Sequence, residues 1–221
     1  MQKIAIVTGG NKGIGYETVR GLAKSSKFDV VYLTARNVEL GTLAVAKLNE
    51  EENINQVVFH QLDITNELSI STFASFISTE HGGFDVLVQN AGVAFKRSAT
   101  EPVAVEAEVT MKVNFWGTLN VMKKLAPMVR ENGRIVMVSS MASWRAQTSF
   151  TPWFTNPIAR ELCLFNRTLS LDRLEALAAH FVAVCKNETN KEEGWPNSCY
   201  GISKLFVNGI TAIFCVKAGA P

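Results

Sequence analysis

Two hydrophobic patterns alternate along this chain: short runs that are apolar throughout, and longer stretches in which apolar positions recur every three or four residues. Ile4-Ala5-Ile6-Val7 is a run of the first kind, rich in β-branched residues, as a strand buried on both faces of a parallel sheet would be. Ile14, Val19, Leu22 and Ala23 follow at helical spacing and predict a helix to about Ser25. Further strands are expected at Val30 to Ala35, Val57 to Leu62, Phe84 to Val88 and Gly133 to Ser140. Between them lie helices at about Val38 to Glu52, after an N-cap at Thr65 or Asn66, and from about Val103 to Arg130. Unbroken alternation of this kind, with right-handed crossovers, predicts an α/β fold: a doubly wound parallel sheet of order 3-2-1-4-5 with helices on both faces.

After Ser140 the pattern loosens. Residues 141 to about 155 read as irregular and carry Trp144 and Trp153; a helix is expected from about Asn166 to Cys185, then a polar loop from Asn187 to Asn197. A last helix starts near Ser198 and holds the apolar run Leu205 to Val216. Asn208 interrupts that run, which is shorter than the ~20 residues a membrane span needs, so it reads as a core helix. With no repeat or linker, one domain is expected over 1–221, with a helical insert at about 141–197.

Composition narrows the partners. A net charge of +2 on 221 residues gives no argument for nucleic acid or an anionic membrane. The four cysteines form no C-x-x-C pair, so neither a metal site nor a thioredoxin motif is suggested. Nothing resembling a signal peptide precedes the first strand, which makes a reduced, cytoplasmic chain the simplest reading.

The first βα turn carries candidate chemistry: Thr8-Gly9-Gly10-Asn11-Lys12-Gly13-Ile14-Gly15. Glycines let the backbone turn tightly and approach a pyrophosphate, while the free N–H groups at the helix start attract its charge. In a Rossmann-type sheet this is where a dinucleotide binds. NAD-specific versions place a carboxylate about 20 residues further on for the ribose 2′-hydroxyl. Here that position is Ala35, followed by Arg36. A guanidinium at Arg36 and an ammonium at Lys12 suit a 2′-phosphate instead, so NADPH/NADP+ is the expected cofactor.

Tyr200-Gly201-Ile202-Ser203-Lys204 sets a phenol and an ammonium four residues apart, on one face of the last helix. Together with the glycine turn, Asn90-Ala91-Gly92, Asn114 and the serines ending the fifth strand, this resembles the short-chain dehydrogenase/reductase family. Reducing a carbonyl by hydride transfer leaves an alkoxide that needs a proton. A lysine one turn away lowers the phenol's pKa from about 10, making Tyr200 usable as the general acid. Ser140, at the end of its strand, is placed to hold the substrate oxygen, and the resemblance marks it rather than Ser139 as catalytic. The resemblance further implies that Asn114 supports a water linking the lysine to solvent, that Asp63 contacts the adenine, and that Asn90 and Lys204 lie at the cofactor ribose.

Within that family, the subgroup of monomeric carbonyl reductases is most similar, on Gly9 to Gly15, Thr34-Ala35-Arg36, His60-Gln61-Leu62-Asp63-Ile64, Asn90 to Lys96 and Glu193-Gly194-Trp195-Pro196. This likeness adds Ile64 to the cofactor residues and implies a monomer, whose insert covers the face that other members use to dimerise. It also implies that Phe95, Lys96, Arg97 and Glu106 line a cleft for carbonyl substrates and glutathione conjugates. Gln89 and Glu106 depart from the subgroup's usual Asn and Gln. Family members continue for some sixty residues past Lys217, so the final strands are expected to be absent and the fifth strand to be left as an edge. Two readings follow: a carbonyl reductase acting on ketones, quinones or aldehydes, or a shortened, inert form that binds cofactor or associates through that edge.

Overall fold

Five parallel strands, β1 (Ile4–Thr8), β2 (Val30–Ala35), β3 (Val57–Gln61), β4 (Phe84–Gln89) and β5 (Val129–Met137), pair in the order β3-β2-β1-β4-β5, as the alternation predicts. The computed structural model describes residues 1–96, 98, 100–149, 157–158, 162 and 169–217, the side chains of 51, 52, 216 and 217 excepted. Two compact units make up the chain, Met1–Gly92 with Gly117–Val138, and Val93–Trp116 with Ser139–Pro221.

The first unit holds the whole sheet with helices α1 (Gly13–Lys24), α2 (Val38–Glu52) and α3 (Glu67–His81). Side chains alternate across a strand, and the burial follows suit. Ala5, Val7, Val31, Leu33 and Val57 pack with Val19 and Ala23 of α1 and Ala44 and Leu48 of α2. Tyr32, one residue out of step, meets Phe73 and Phe76 of α3, and His60 packs on the same two rings. Helices therefore cover both faces. Asn37 and Asn66 cap α2 and α3 by accepting from Leu40 and Ser69 N–H groups at 2.8 and 2.9 Å.

Around the fifth strand the elements differ from the sequence pattern. The helix expected from Val103 to Arg130 is broken into α4 (Val103–Thr110), a π-helical stretch over Met111–Gly117, α5 (Thr118–Leu125) and a short 3-10 turn. β5 accordingly starts at Val129 and not at Gly133. Its register jumps from Phe84 opposite Val129 to Val86 opposite Arg134, so residues 130–133 bulge, with Asn132 in the left-handed region at φ 61°. β5 also ends at Met137, which leaves Ser139 and Ser140 beyond the strand. It is the last strand of the sheet among the described residues, with Val136 47% exposed.

In the second unit, residues 141–148 are helical and not irregular: α6 (Met141–Thr148) starts from Ser140, whose hydroxyl oxygen accepts from Ala142 N–H at 3.1 Å. Next come α7 (Leu171–Lys186) and α8 (Cys199–Lys217). α7 begins five residues later than its pattern suggests, at an N-cap supplied by Ser170; 166–168 lie outside the described residues. The apolar run of α8 is a core element, with Leu205, Phe206, Val207 and Ile210 buried. No helix among the described residues is long and apolar enough to cross a membrane.

Asp85 ties the lower ends of three strands together. Its Oδ2 accepts from Ile4 N–H at 2.7 Å and from Arg130 Nη1 at 2.9 Å. Asp85→Ala leaves a partly buried N–H without its acceptor and removes the carboxylate partner of Arg130, which keeps Gln2 O and His81 O, and urea denaturation should show a loss of about 1–3 kcal/mol.

Candidate active site

The glycine turn is built by contacts within the first unit. Gly9 adopts φ 64°, and a Cβ there would come within 2.9 Å of Ala91 Cα. A Cβ at Gly15 would collide with the Gly9 carbonyl oxygen and the Asn90 amide. Asn90 locks this packing by donating from Nδ2 to the carbonyls of Thr8 at 2.9 Å and Gly9 at 3.0 Å. Thr8 Oγ1, fully buried, accepts in return from the N–H groups of Asn90 and Ala91, both at 3.0 Å. Gln89 is buried beside them, its amide 3.4 Å from Thr118 O.

α1 begins immediately after, from Lys12. No side chain caps it, and its first turn holds no acidic residue. Gly13 sits at φ 56° with open space where a Cβ would project, Asn11 is half-buried, and Ile14 is 68% exposed. Unfilled N–H groups beside open space form a cradle suited to a compact anion. Lys12 and Arg36 are both exposed, and no carboxylate follows β2 within reach of its end before Glu39.

Asp63 and Ile64 follow β3. Asp63 is engaged locally: its Oδ1 accepts from Thr65 N–H at 2.9 Å and Thr65 Oγ1 at 2.8 Å, an Asx turn. Ile64 is 5% exposed and fills the space above Gly117 Cα, where a Cβ would lie 3.0 Å from its side chain.

In the second unit, α8 brings Tyr200 and Lys204 to one face as the spacing requires. Lys204 is only 5% exposed, and its Nζ lies 5.9 Å from the Tyr200 ring centroid, while Tyr200 is half-buried. Burial holds the Lys204 ammonium below the ordinary lysine range.

Asn114 sits in the π-helical stretch and is fully buried. Its Oδ1 accepts from Val93 N–H at 2.7 Å, and its Nδ2 donates to Val93 O and to Ser203 Oγ, both at 2.9 Å. Ser203 Oγ passes the chain on, donating to Tyr200 O at 2.8 Å. Both amide hydrogens of Asn114 are thus spent on protein groups. Ser203 carries no signal in the sequence beyond lying inside the Tyr-x-x-x-Lys spacing, and only packing reveals it as the link between Asn114 and α8.

The two serines divide their work. Ser139 Oγ donates to Lys204 O at 3.1 Å, fastening the chain to α8. Ser140 Oγ accepts from Ala142 N–H, which leaves its own hydrogen available to donate. Phe95 is half-buried and Lys96 exposed; Glu106, half-buried, lies on α4. Arg97 lies outside the described residues. No group of three metal-ligating side chains occurs among the described residues.

A family model for short chain dehydrogenases matches residues 3–154. The chain belongs to the short-chain dehydrogenase family. It is thus a member of an oxidoreductase family, and its sheet is the family's parallel five-stranded core. Carbonyl reductase (NADPH) 1 from Mus musculus is 43% identical over 214 residues, a match spanning 97% of this chain and 74% of the relative. Among solved structures of this short-chain dehydrogenase fold, salutaridine reductase from Papaver somniferum aligns with a TM-score of 0.83 at 30% identity, covering 99% of this chain and 83% of that one. Menthone neomenthol reductase from Mentha piperita aligns at 0.84 with 27% identity, over 98% and 86%.

The burial of Lys204 has a consequence for stability. Below its lowered folded pKa the ammonium is charged in both states and its burial cost is fully felt. As pH rises from there towards the ordinary value of about 10.4, the unfolded chain binds more protons than the folded one, so stability rises. Lys204→Met, which cannot titrate, should erase this rise. Thermal melts of both chains across pH check it.

Proposed function

We propose that this chain is an NADPH-dependent carbonyl reductase, with Tyr200 as general acid and Ser140, Lys204 and Asn114 as its supporting groups. The observation that carries the reading is the buried Lys204 ammonium on the same helix face as a half-buried phenol, 5.9 Å from its ring. Similarity to carbonyl reductase (NADPH) 1 over 97% of the chain supports it.

The first unit would hold the cofactor. Gly13, Ile14 and Gly15 offer the N–H groups of an uncapped helix start to the pyrophosphate, and Thr8, Gly9 and Asn11 shape the turn that leads to it. Lys12 and Arg36 would answer the 2′-phosphate, while Asp63, Ile64 and Asn90 would border the adenine and ribose. The chemistry that reduced nicotinamide would supply there is a hydride for the carbonyl carbon.

The remaining work is done by side chains of the second unit. Ser140, with its oxygen engaged in capping and its hydrogen free, donates to the substrate oxygen. The Tyr200 hydroxyl delivers a proton to that oxygen as its negative charge develops. Lys204, poorly solvated, favours the phenolate that remains and so makes the proton easier to give. Asn114 acts as a positioning residue: through Ser203 it fixes the first turn of α8. A carbonyl compound with an apolar body is the substrate class proposed, glutathione conjugates included, with Phe95, Lys96 and Glu106 as the residues that would line its cleft.

Oxidation of NADPH with menadione tests the reading directly. Tyr200→Phe should lower turnover about 10²- to 10⁴-fold, the usual worth of a general acid, without weakening NADPH binding. Turnover that survives this change overturns it. Arg36→Ala together with Lys12→Ala should weaken NADPH tenfold or more and leave NADH unaffected, since each charge-assisted bond to phosphate is worth about 1.5–3 kcal/mol; thermal-shift titration with both cofactors reads the difference.

A further inference from the structure

Asn208 breaks the apolar run of α8, and no step of the proposed chemistry uses its carboxamide. An amide set among the buried Leu205, Phe206, Val207 and Ile210 costs desolvation unless it finds a partner. Ser143 of α6, itself 5% exposed, is that partner: Asn208 Nδ2 donates to Ser143 Oγ at 3.1 Å. An amide nitrogen can only donate, so the Ser143 oxygen accepts from it and keeps its one hydrogen for another group. That hydrogen goes to Ser140 O at 2.6 Å, where the Ser143 N–H also arrives at 3.0 Å.

Ser140 is thereby held at both ends. Its carbonyl takes two bonds from Ser143, its hydroxyl oxygen accepts from Ala142 N–H at 3.1 Å, and its backbone is extended at φ −157° and ψ 151°. The same stretch is fastened to α8 elsewhere too. Ser139 Oγ donates to Lys204 O at 3.1 Å. Gly201 lets α6 lie directly against α8, since a Cβ there would come within 2.8 Å of Ala142 O and 2.9 Å of Ala146 Cβ. Gly201, Lys204 and Asn208 follow one another at i, i+3 and i+7, a single stripe of the helix. Tyr200, Lys204 and Asn208 follow at i, i+4 and i+8. The residue that fixes Ser140 thus stands on the helix that carries the phenol, two turns beyond it.

We propose that Asn208 is a positioning residue for the reaction: through Ser143 it fixes the Ser140 hydroxyl relative to Tyr200, so that both reach one substrate oxygen. This role rests on the reductase reading of Ser140 and Tyr200; the chain of bonds from Asn208 through Ser143 to Ser140 does not. Without the amide, the tie between Ser143 and α8 is lost and the first turn of α6 loosens around Ser140.

Asn208→Leu nearly keeps the side-chain volume and removes the donor, while Ser143→Ala removes both bonds made by the hydroxyl. Each should lower kcat with menadione about tenfold or more, towards the roughly 10²-fold that a misplacement of about 1 Å costs, and leave NADPH affinity unchanged in thermal-shift titration. In a Ser140→Ala chain the same changes should cost no further turnover, because the group they position is gone. Amide hydrogen exchange should quicken at Ala142 and Ser143, whose N–H groups Ser140 holds, and stay unchanged in the middle of α7. Unchanged turnover or unchanged exchange at Ala142 and Ser143 overturns the proposal. So does an equal loss in the Ser140→Ala background, which marks a general effect on the fold. If Asn208→Leu does not fold, Ser143→Ala decides alone. If the unaltered chain reduces no carbonyl, the reductase reading falls and the role in the reaction with it, while the exchange rates still decide whether Asn208 holds Ser140.

Discussion

The buried amide of Asn114 is the constraint on which the second unit depends. A carboxamide has two donors and two acceptor sites, and a buried one must satisfy them locally or incur a desolvation cost of about 1–3 kcal/mol. Asn114 meets that demand with the backbone of Val93 on one side and Ser203 on the other. Three segments distant in sequence are held by one side chain: the stretch leaving the Asn-Ala-Gly turn, the helix that carries Asn114, and α8 with Tyr200 and Lys204. The π-helical winding at Met111–Gly117 is the local distortion that accompanies this clamp, and such turns concentrate where function bends a helix.

A buried cation follows from the same architecture. Ser139 Oγ and the Asn114–Ser203 link hold the backbone of α8 at and before Lys204, whose side chain packs at 5% exposure. Its depressed pKa is therefore a property of the scaffold and not of the side chain's own preferences. A buried cation of this kind is the sort of local conflict with stability that concentrates at functional centres.

Much of the first unit could be read from patterns. β2 and α2 fall on their expected residues, because uniformly apolar runs flanked by an Asn cap admit few alternatives. The errors have specific causes. Val129 and Arg130 continue an amphipathic pattern and look helical, yet the left-handed Asn132 before Gly133 folds them back into β5 as a bulge. Ser140 suggested the end of a strand, whereas its second role as a cap starts α6. The π-helical stretch could not be seen at all, since α and π winding use the same residue types. For the site, spacing alone put Tyr200 and Lys204 on one face, and resemblance singled out Asn114. The burial of Lys204 and the relay through Ser203 are products of tertiary packing, to which one-dimensional spacing is blind.

The bare start of α1 carries a practical corollary. An uncapped helix terminus with no acidic residue in its first turn has no means of telling one small anion from another. Sulfate or inorganic phosphate in a buffer would compete for the same N–H groups, and added salt would screen the exposed Lys12 and Arg36. Any affinity measured for a phosphorylated ligand of this chain is thus a property of the chain and its electrolyte together.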